Sequence, residues 1–166
     1  CQAGYSNQTG NSQVAIGSKA LYSSTVGENV AVGSSAATAN TSGVQNVAVG
    51  HKALCSNTIG TCNVAIGFHT LTTTTTACGN VAVGNYALCA NTCGEKNVAV
   101  GNYALASNTE AWYNVAIGHC TLNANTTGEY NVGIGRQPLN ANTTGVHNIG
   151  IGRQALWCNT TGCHNI

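Results

Sequence analysis

Cysteine, histidine and glutamate are the residues of this chain that could carry out catalysis or bind a metal. The sequence has nine Cys and five His, no Asp, and only four acids, all Glu. A zinc site would need its ligands in close pairs such as C-x-x-C, and this pair is absent. No Ser or Cys recurs beside both a His and an acid, as nucleophilic catalysis would require. The sequence therefore predicts neither an enzyme nor a metal site, and it implies no cofactor.

Disulfide formation is the cysteine chemistry that the spacing favours. Nine Cys in 166 residues suggest an oxidising compartment, hence an extracellular protein. Cys62 and Cys78 fall one register position apart on successive sequence repeats. Cys89 with Cys93, and Cys158 with Cys163, would close turns within one repeat. Because the total is odd, at least one thiol stays free or joins two chains.

Asparagine followed by threonine offers a second chemistry, N-glycosylation. The acceptor pattern N-x-[ST] marks five candidates, which we expect to be exposed. They are Asn7, Asn40, Asn125, Asn142 and Asn159. The alternative is structural, because stacked Asn side chains can hydrogen-bond to the repeats above and below them. Both interpretations remain open at the level of the sequence.

A seventeen-residue repeat positions all of these residues. Its consensus is N-V-A-[VI]-G-x-x-A-L-x-x-N-T-T-G-x-x, numbered here from position 1 at the first Asn. The first Asn recurs at Asn29, Asn46, Asn63, Asn80, Asn97, Asn114, Asn131, Asn148 and Asn165. A unit this short cannot bury its own apolar face and must stack on its neighbours. We predict an all-β fold, a parallel β-solenoid of about ten coils. Residues 1–166 would form a single repeat array with partial coils at both ends, a slice of a longer solenoid.

The strand of each coil is predicted from alternation at positions 2 to 4. Positions 2 and 4 are Val or Ile and position 3 is Ala or Gly, so the two kinds lie on opposite faces. We expect Val and Ile to point inward with Leu of position 9, which leaves position 3 outside as an assembly face. Its members are Ala31, Ala48, Ala65, Ala82, Ala99 and Ala116. The alternative is that Ala merely fills a tight fold within the coil.

Position 17 places aromatic side chains on successive coils. The column consists of Tyr113, Tyr130, His147 and His164. Such a strip could contact a glycan. It could equally stabilise the surface by stacking between coils.

Composition excludes two classes of partner. Only 5% of the residues are charged and the formal net charge is +1, so the basic patch of a nucleic-acid binder is missing. No apolar run approaches the roughly 18 residues of a membrane span. The expected partner is therefore another copy of the chain, in a trimer or filament, or a cell-surface glycan or receptor.

The repeats also resemble a known family. NVAVG at 46–50, NVAIG at 63–67 and 114–118, and ALWCNTTG at 155–162 resemble the head repeats of trimeric autotransporter adhesins of the YadA-like type. They are similar, too, to the NTAVG…ALxxNTTG repeats of phage and environmental fibre proteins. The resemblance implies a left-handed parallel β-roll, three chains associated along the axis, and an adhesive or fibre function at a cell surface or on a virion.

These observations favour a non-enzymatic extracellular fibre or adhesin shaft that assembles into multichain or end-to-end filaments. A glycan-binding fibre module is one alternative. An ice-binding solenoid is another, although Thr here sits next to Gly in a turn and not as a repeated T-x-T on a strand.

Overall fold

The computed structural model describes residues 2–7 and 10–166, and it is a parallel β-solenoid. Nine strands of three residues form one parallel sheet in chain order. The strands are β1 (Val14–Ile16), β2 (Val30–Val32), β3 (Val47–Val49), β4 (Val64–Ile66), β5 (Val81–Val83), β6 (Val98–Val100), β7 (Val115–Ile117), β8 (Val132–Ile134) and β9 (Ile149–Ile151). Val14 pairs with Val30, and each later pair is seventeen residues apart, as between Val30 and Val47. The predicted fold class is confirmed.

Glycine at position 5 turns the chain out of each strand. Gly67 has a φ of 138°, in the region that disfavours side chains. A Cβ built on Gly67 would also lie 2.6 Å from the carbonyl oxygen of Gly84 in the next coil. The glycine column is therefore needed both for the turn and for the close approach of successive coils.

The strand side chains face the opposite way from the prediction. Ala31, Ala48, Ala65, Ala82, Ala99 and Ala116 have no exposed surface. Val and Ile of positions 2 and 4 are never buried, and their exposed fraction reaches 59% at Ile16 and 65% at Ile151. The predicted Ala assembly face is thus wrong, and the alternative, Ala filling a tight interior, is correct. Leu of position 9 does point inward, as at Leu88 and Leu105.

The narrow interior explains this orientation. The position 3 column packs against the opposite wall, where Ala of position 8 and Leu of position 9 form the buried core. A methyl group on Gly133 would lie only 2.5 Å from Cγ2 of Thr121. The Ala methyl groups of position 3 are already fully enclosed in the coils of β2 to β7. The larger Val and Ile side chains lie on the outer side of the strand, where they keep some exposure to solvent.

Enlarging the buried column should therefore destabilise the coil. We expect Ala82→Leu to lower the free energy of unfolding by about 1–3 kcal/mol, because a close-packed core tolerates extra carbons poorly. The matched control is Val81→Thr on the neighbouring, half-buried position, which should change it by less than about 0.5 kcal/mol. Circular dichroism during denaturant unfolding measures both, and equal losses in the two variants would contradict the observed register.

Candidate functional site

A buried column of asparagines at position 1 joins each coil from β2 onward to the next. The Oδ1 atom of each Asn accepts the backbone N–H of the Asn seventeen residues later, at 2.9–3.0 Å. The side-chain amide also donates across the coil, as from Asn97 Nδ2 to the Ala111 carbonyl at 2.8 Å. These amides are structural groups, and they are not available to a ligand.

A second asparagine column lies at position 12, and it corrects the glycosylation prediction. Asn142 Nδ2 donates to Asn125 Oδ1 at 2.9 Å and to the Gly145 carbonyl at 3.0 Å. Asn40, Asn125 and Asn142 have no exposed surface, so this fold has no room for a glycan on their amide nitrogens. The ladder interpretation is correct for these three residues, and their expected exposure was wrong.

The two remaining acceptor candidates lie at the ends of the described chain. Asn159 is half-buried, and its Nδ2 donates to Asn142 Oδ1 and the Gly162 carbonyl, at 2.9 and 3.1 Å. Asn7 is half-buried and donates to the Gly10 carbonyl at 3.0 Å. The next two residues of its acceptor pattern, 8 and 9, lie outside the described residues, so glycosylation of Asn7 stays a prediction.

The position 12 column is interrupted at Thr74. Thr74 Oγ1 donates to the Asn91 carbonyl at 3.0 Å, and it donates no hydrogen bond to Asn57 Oδ1 in the preceding coil. Asn57 Oδ1 is consequently buried without a hydrogen-bond partner. A buried acceptor left unpaired costs about 1–3 kcal/mol, so Thr74 is a weak point of the stack.

Restoring the column should stabilise the protein. In Thr74→Asn, the new amide can donate to Asn57 Oδ1, and we expect the free energy of unfolding to rise by about 1 kcal/mol. The converse variant, Asn108→Thr, removes the 2.9 Å bond to Asn91 Oδ1 and should lower it by about 1–3 kcal/mol. Differential scanning calorimetry compares them; a Thr74→Asn protein less stable than the parent would refute this account.

The predicted disulfides are not formed. The eight described cysteines, all except residue 1, are free thiols, including Cys89, Cys93, Cys158 and Cys163. Cys62 Sγ contacts Gln45 Oε1 at 3.3 Å, whereas Cys78 Sγ accepts the backbone N–H of Thr61 at 3.3 Å. The stack aligns each position with the same position of the next coil, so neighbouring register positions such as those of Cys62 and Cys78 belong to separate columns.

Two of the thiols are less acidic than usual. Burial raises the pKa of Cys89 and, although it is more exposed, that of Cys120. A raised pKa keeps the sulfur protonated at neutral pH, and the protonated thiol is a poor nucleophile. Cys120 Sγ also lies 3.7 Å from His119 Nε2, and the charge of Arg136 lowers the pKa of Cys120 without reversing the effect of burial.

The aromatic column of position 17 exists as predicted. Successive ring centroids of Tyr113, Tyr130, His147 and His164 are 5.1, 4.9 and 5.0 Å apart, with nearly parallel planes. Lys96 continues the column, with its Nζ donating to the Tyr113 hydroxyl at 3.0 Å. Because each ring covers the face of the next, the column presents ring edges to solvent. The arrangement favours stacking between coils, and glycan contact at these residues stays a prediction.

A second aromatic cluster lies on the other side of the strands, at positions 6 and 7. Tyr86 stacks on Tyr103 at 5.1 Å, and His69 stacks on Tyr86 at 5.6 Å. Burial lowers the pKa of His69, and the nearby charges of Lys52 and His51 lower it further. The imidazole of His69 is therefore mostly uncharged near neutral pH.

Two carboxylates come together in a way that sequence reasoning missed. Glu110 and Glu129 line a shallow groove of about 300 Å³ together with Trp112, Cys93 and Thr127. The two acids lie at positions 14 and 16 of successive coils. They are nineteen residues apart in the chain, so their placement in one groove is visible only when the repeats are aligned coil on coil. Within the described residues, no group of three or more His, Cys, Asp or Glu could hold a metal ion.

The outer surface of the sheet is an extended apolar surface, which we call the Val/Ile face. It consists of positions 2 and 4 of β1 to β9, eighteen branched apolar side chains. At about 4.8 Å between strands it is about 38 Å long, and with a width of roughly 10 Å it covers roughly 400 Å². Apolar patches of this size on a monomer commonly mark a contact site.

Comparison of the chain with protein-family models, with curated proteins and with solved structures gave no match. In the part of the chain that the structure describes, no helix is long and apolar enough to cross a membrane.

Proposed function

We propose that this chain is a non-enzymatic structural segment, a stiff shaft of an extracellular fibre or adhesin that associates with further copies of itself. The observation that carries the proposal is the uncovered Val/Ile face, which continues without interruption along all nine strands. An extracellular location, at a cell surface or on a virion fibre, is supported by the resemblance of the NVAVG and NVAIG repeats to surface fibres.

Stiffness is supported by the number of bonds between coils. Besides the sheet and the two asparagine columns, a column of threonines at position 13 links successive coils. Thr58 Oγ1 donates to the Thr75 carbonyl at 3.0 Å, and Thr126 Oγ1 donates to the Thr143 carbonyl at 3.1 Å. Each coil is thus bonded to its neighbour at several points around its perimeter, which resists bending of the axis.

Association through the Val/Ile face follows from the chemistry of the rest of the surface. Outside the strands, the exposed positions carry mostly Thr, Asn, Ser and a few charges, which water solvates well, together with aromatic rings, many of which stack on one another. Among the described residues, the Val/Ile face alone exposes contiguous branched hydrocarbon. Its removal from water by another copy is favourable by roughly 25 cal/mol for each Å².

Charges introduced on this face should abolish association. We expect the triple variant Val49→Lys, Ile66→Lys and Val83→Lys to stay folded but to sediment as a monomer, because each ammonium group would have to be buried on assembly. The matched control places the same three charges at position 14 of the same coils, through Ile59→Lys, Thr76→Lys and Cys93→Lys.

The control should assemble as the parent does. Analytical ultracentrifugation reports association, and circular dichroism verifies folding of both variants. If the first variant assembles as strongly as the control, the Val/Ile face is not the contact and the proposal fails.

A further inference from the structure

The tyrosines of this chain form three stacked pairs, each between two successive coils. Within every pair the ring centroids are 5.1 Å apart, and the ring planes lie within 9° of parallel. The pairs are Tyr5 with Tyr22, Tyr86 with Tyr103, and Tyr113 with Tyr130, which together are all six tyrosines of the sequence. They occupy positions 10, 7 and 17 of the repeat. The same pairing therefore occurs at three separate places around the coil.

Stacking alone does not account for the use of tyrosine. An aromatic ring stacks with or without a hydroxyl group, yet the chain has six Tyr and a single Phe. Among the described residues, only one phenol hydroxyl shares a hydrogen bond with another side chain, that of Tyr113 with Lys96 Nζ at 3.0 Å. Each pair also has an exposed ring, at 62% for Tyr5, 42% for Tyr103 and 46% for Tyr130. The pairs thus present accessible phenols that contribute little hydrogen bonding to the fold.

Phenols held face to face are arranged for oxidative coupling. Loss of one electron and one proton from each phenol gives two phenoxyl radicals, whose unpaired electrons occupy π orbitals with density at the ring carbons ortho to the oxygen. The lobes of these orbitals stand perpendicular to the rings, so parallel stacked rings direct them at each other. Because the fold holds both partners in place, their coupling is an intramolecular step and not a chance encounter.

The products of this coupling balance with a peroxide as oxidant. One ortho carbon of each ring joins the other in a new carbon–carbon bond. The hydrogens on these two carbons leave as protons and the two oxygens take up protons, which restores both phenols as dityrosine. The two electrons and two protons lost in the first step reduce one hydrogen peroxide to two water molecules, with cleavage of its O–O bond.

We propose that the three tyrosine pairs are sites of oxidative cross-linking, at which a one-electron oxidant generated from peroxide joins each pair as dityrosine within one chain. Each bond ties one coil covalently to the next, alongside the hydrogen bonds that already connect them. The proposal is independent of any association between copies, because both members of a pair belong to the same chain.

The pair at residues 113 and 130 offers the clearest test. Its neighbours in the column are Lys96 and His147, and neither donates a hydrogen atom readily. In the column of Tyr86 and Tyr103, the next coil carries Cys120, and a thiol can reduce a phenoxyl radical before it couples. We therefore base the experiment on the 113–130 pair.

The protein is treated with hydrogen peroxide and a small haem peptide that has peroxidase activity. We expect the blue fluorescence of dityrosine, and mass spectrometry should find residues 113 and 130 linked with the loss of two hydrogens. In a mixture of isotope-labelled and unlabelled protein, both linked peptides should carry the same label. Unfolding in urea before oxidation should remove the preference for partners seventeen residues apart.

Two variants supply matched controls, with circular dichroism to verify that each is folded. Tyr130→Phe keeps the stacked ring and removes its phenol, so the link at residue 113 should be lost. The double variant Tyr130→Phe with His147→Tyr keeps six phenols but places the partner two coils from Tyr113. Its 113–147 link should be at least about tenfold less abundant than the parent 113–130 link, because the two rings no longer touch.

The outcomes decide the proposal. Links within one chain that are confined to stacked pairs and disappear in Tyr130→Phe support it. It is overturned by links that mainly join chains of different label, or by a 113–147 link as abundant as the 113–130 link. Tyrosine oxidation that yields hydroxylated rings without any carbon–carbon link also overturns it.

Discussion

Buried hydrogen bonds between asparagine side chains and the neighbouring coil hold this structure together. A coil of seventeen residues encloses few apolar atoms, since its core consists largely of Ala and a single column of Leu. Each coil also has backbone amides facing the interior, and a buried amide without a partner is costly. Asparagine can satisfy such groups because its side chain is both a donor and an acceptor. The column at position 1 repeats the same bonds from coil to coil, so each coil folds only in contact with the next.

The same narrow interior determines what the protein shows to solvent. Because the space behind the strand admits no more than a methyl group, the large branched residues of the repeat lie on the outside. Strand residues that would normally form a core instead form the Val/Ile face. The feature that we connect with function is therefore a direct consequence of the packing limit inside the coil.

Scarcity of charge gives each charged residue more influence over how surfaces meet. With 5% charged residues, electrostatic attraction contributes little to the stability of the coil. Four of the five Lys and Arg residues nevertheless lie just after a strand, at positions 6 and 7, and three of the four Glu lie just before one, at positions 16 and 17.

The sequence alone determined the repeat, the parallel stacking, the strand positions and the inward Leu, because these depend on periodicity and on residue types that recur at fixed spacing. It left open which side of the strand faces inward. Alternation identifies the residues that share a face, and only the volume enclosed by the whole coil decides where that face points. Tertiary structure also decided that Asn40, Asn125 and Asn142 are buried and that Cys62 and Cys78 do not meet. The glycosylation pattern depends on three consecutive residues, and the cysteine prediction depends on spacing within the repeat. Burial of an asparagine and the geometry of a thiol depend instead on how each coil packs against the next.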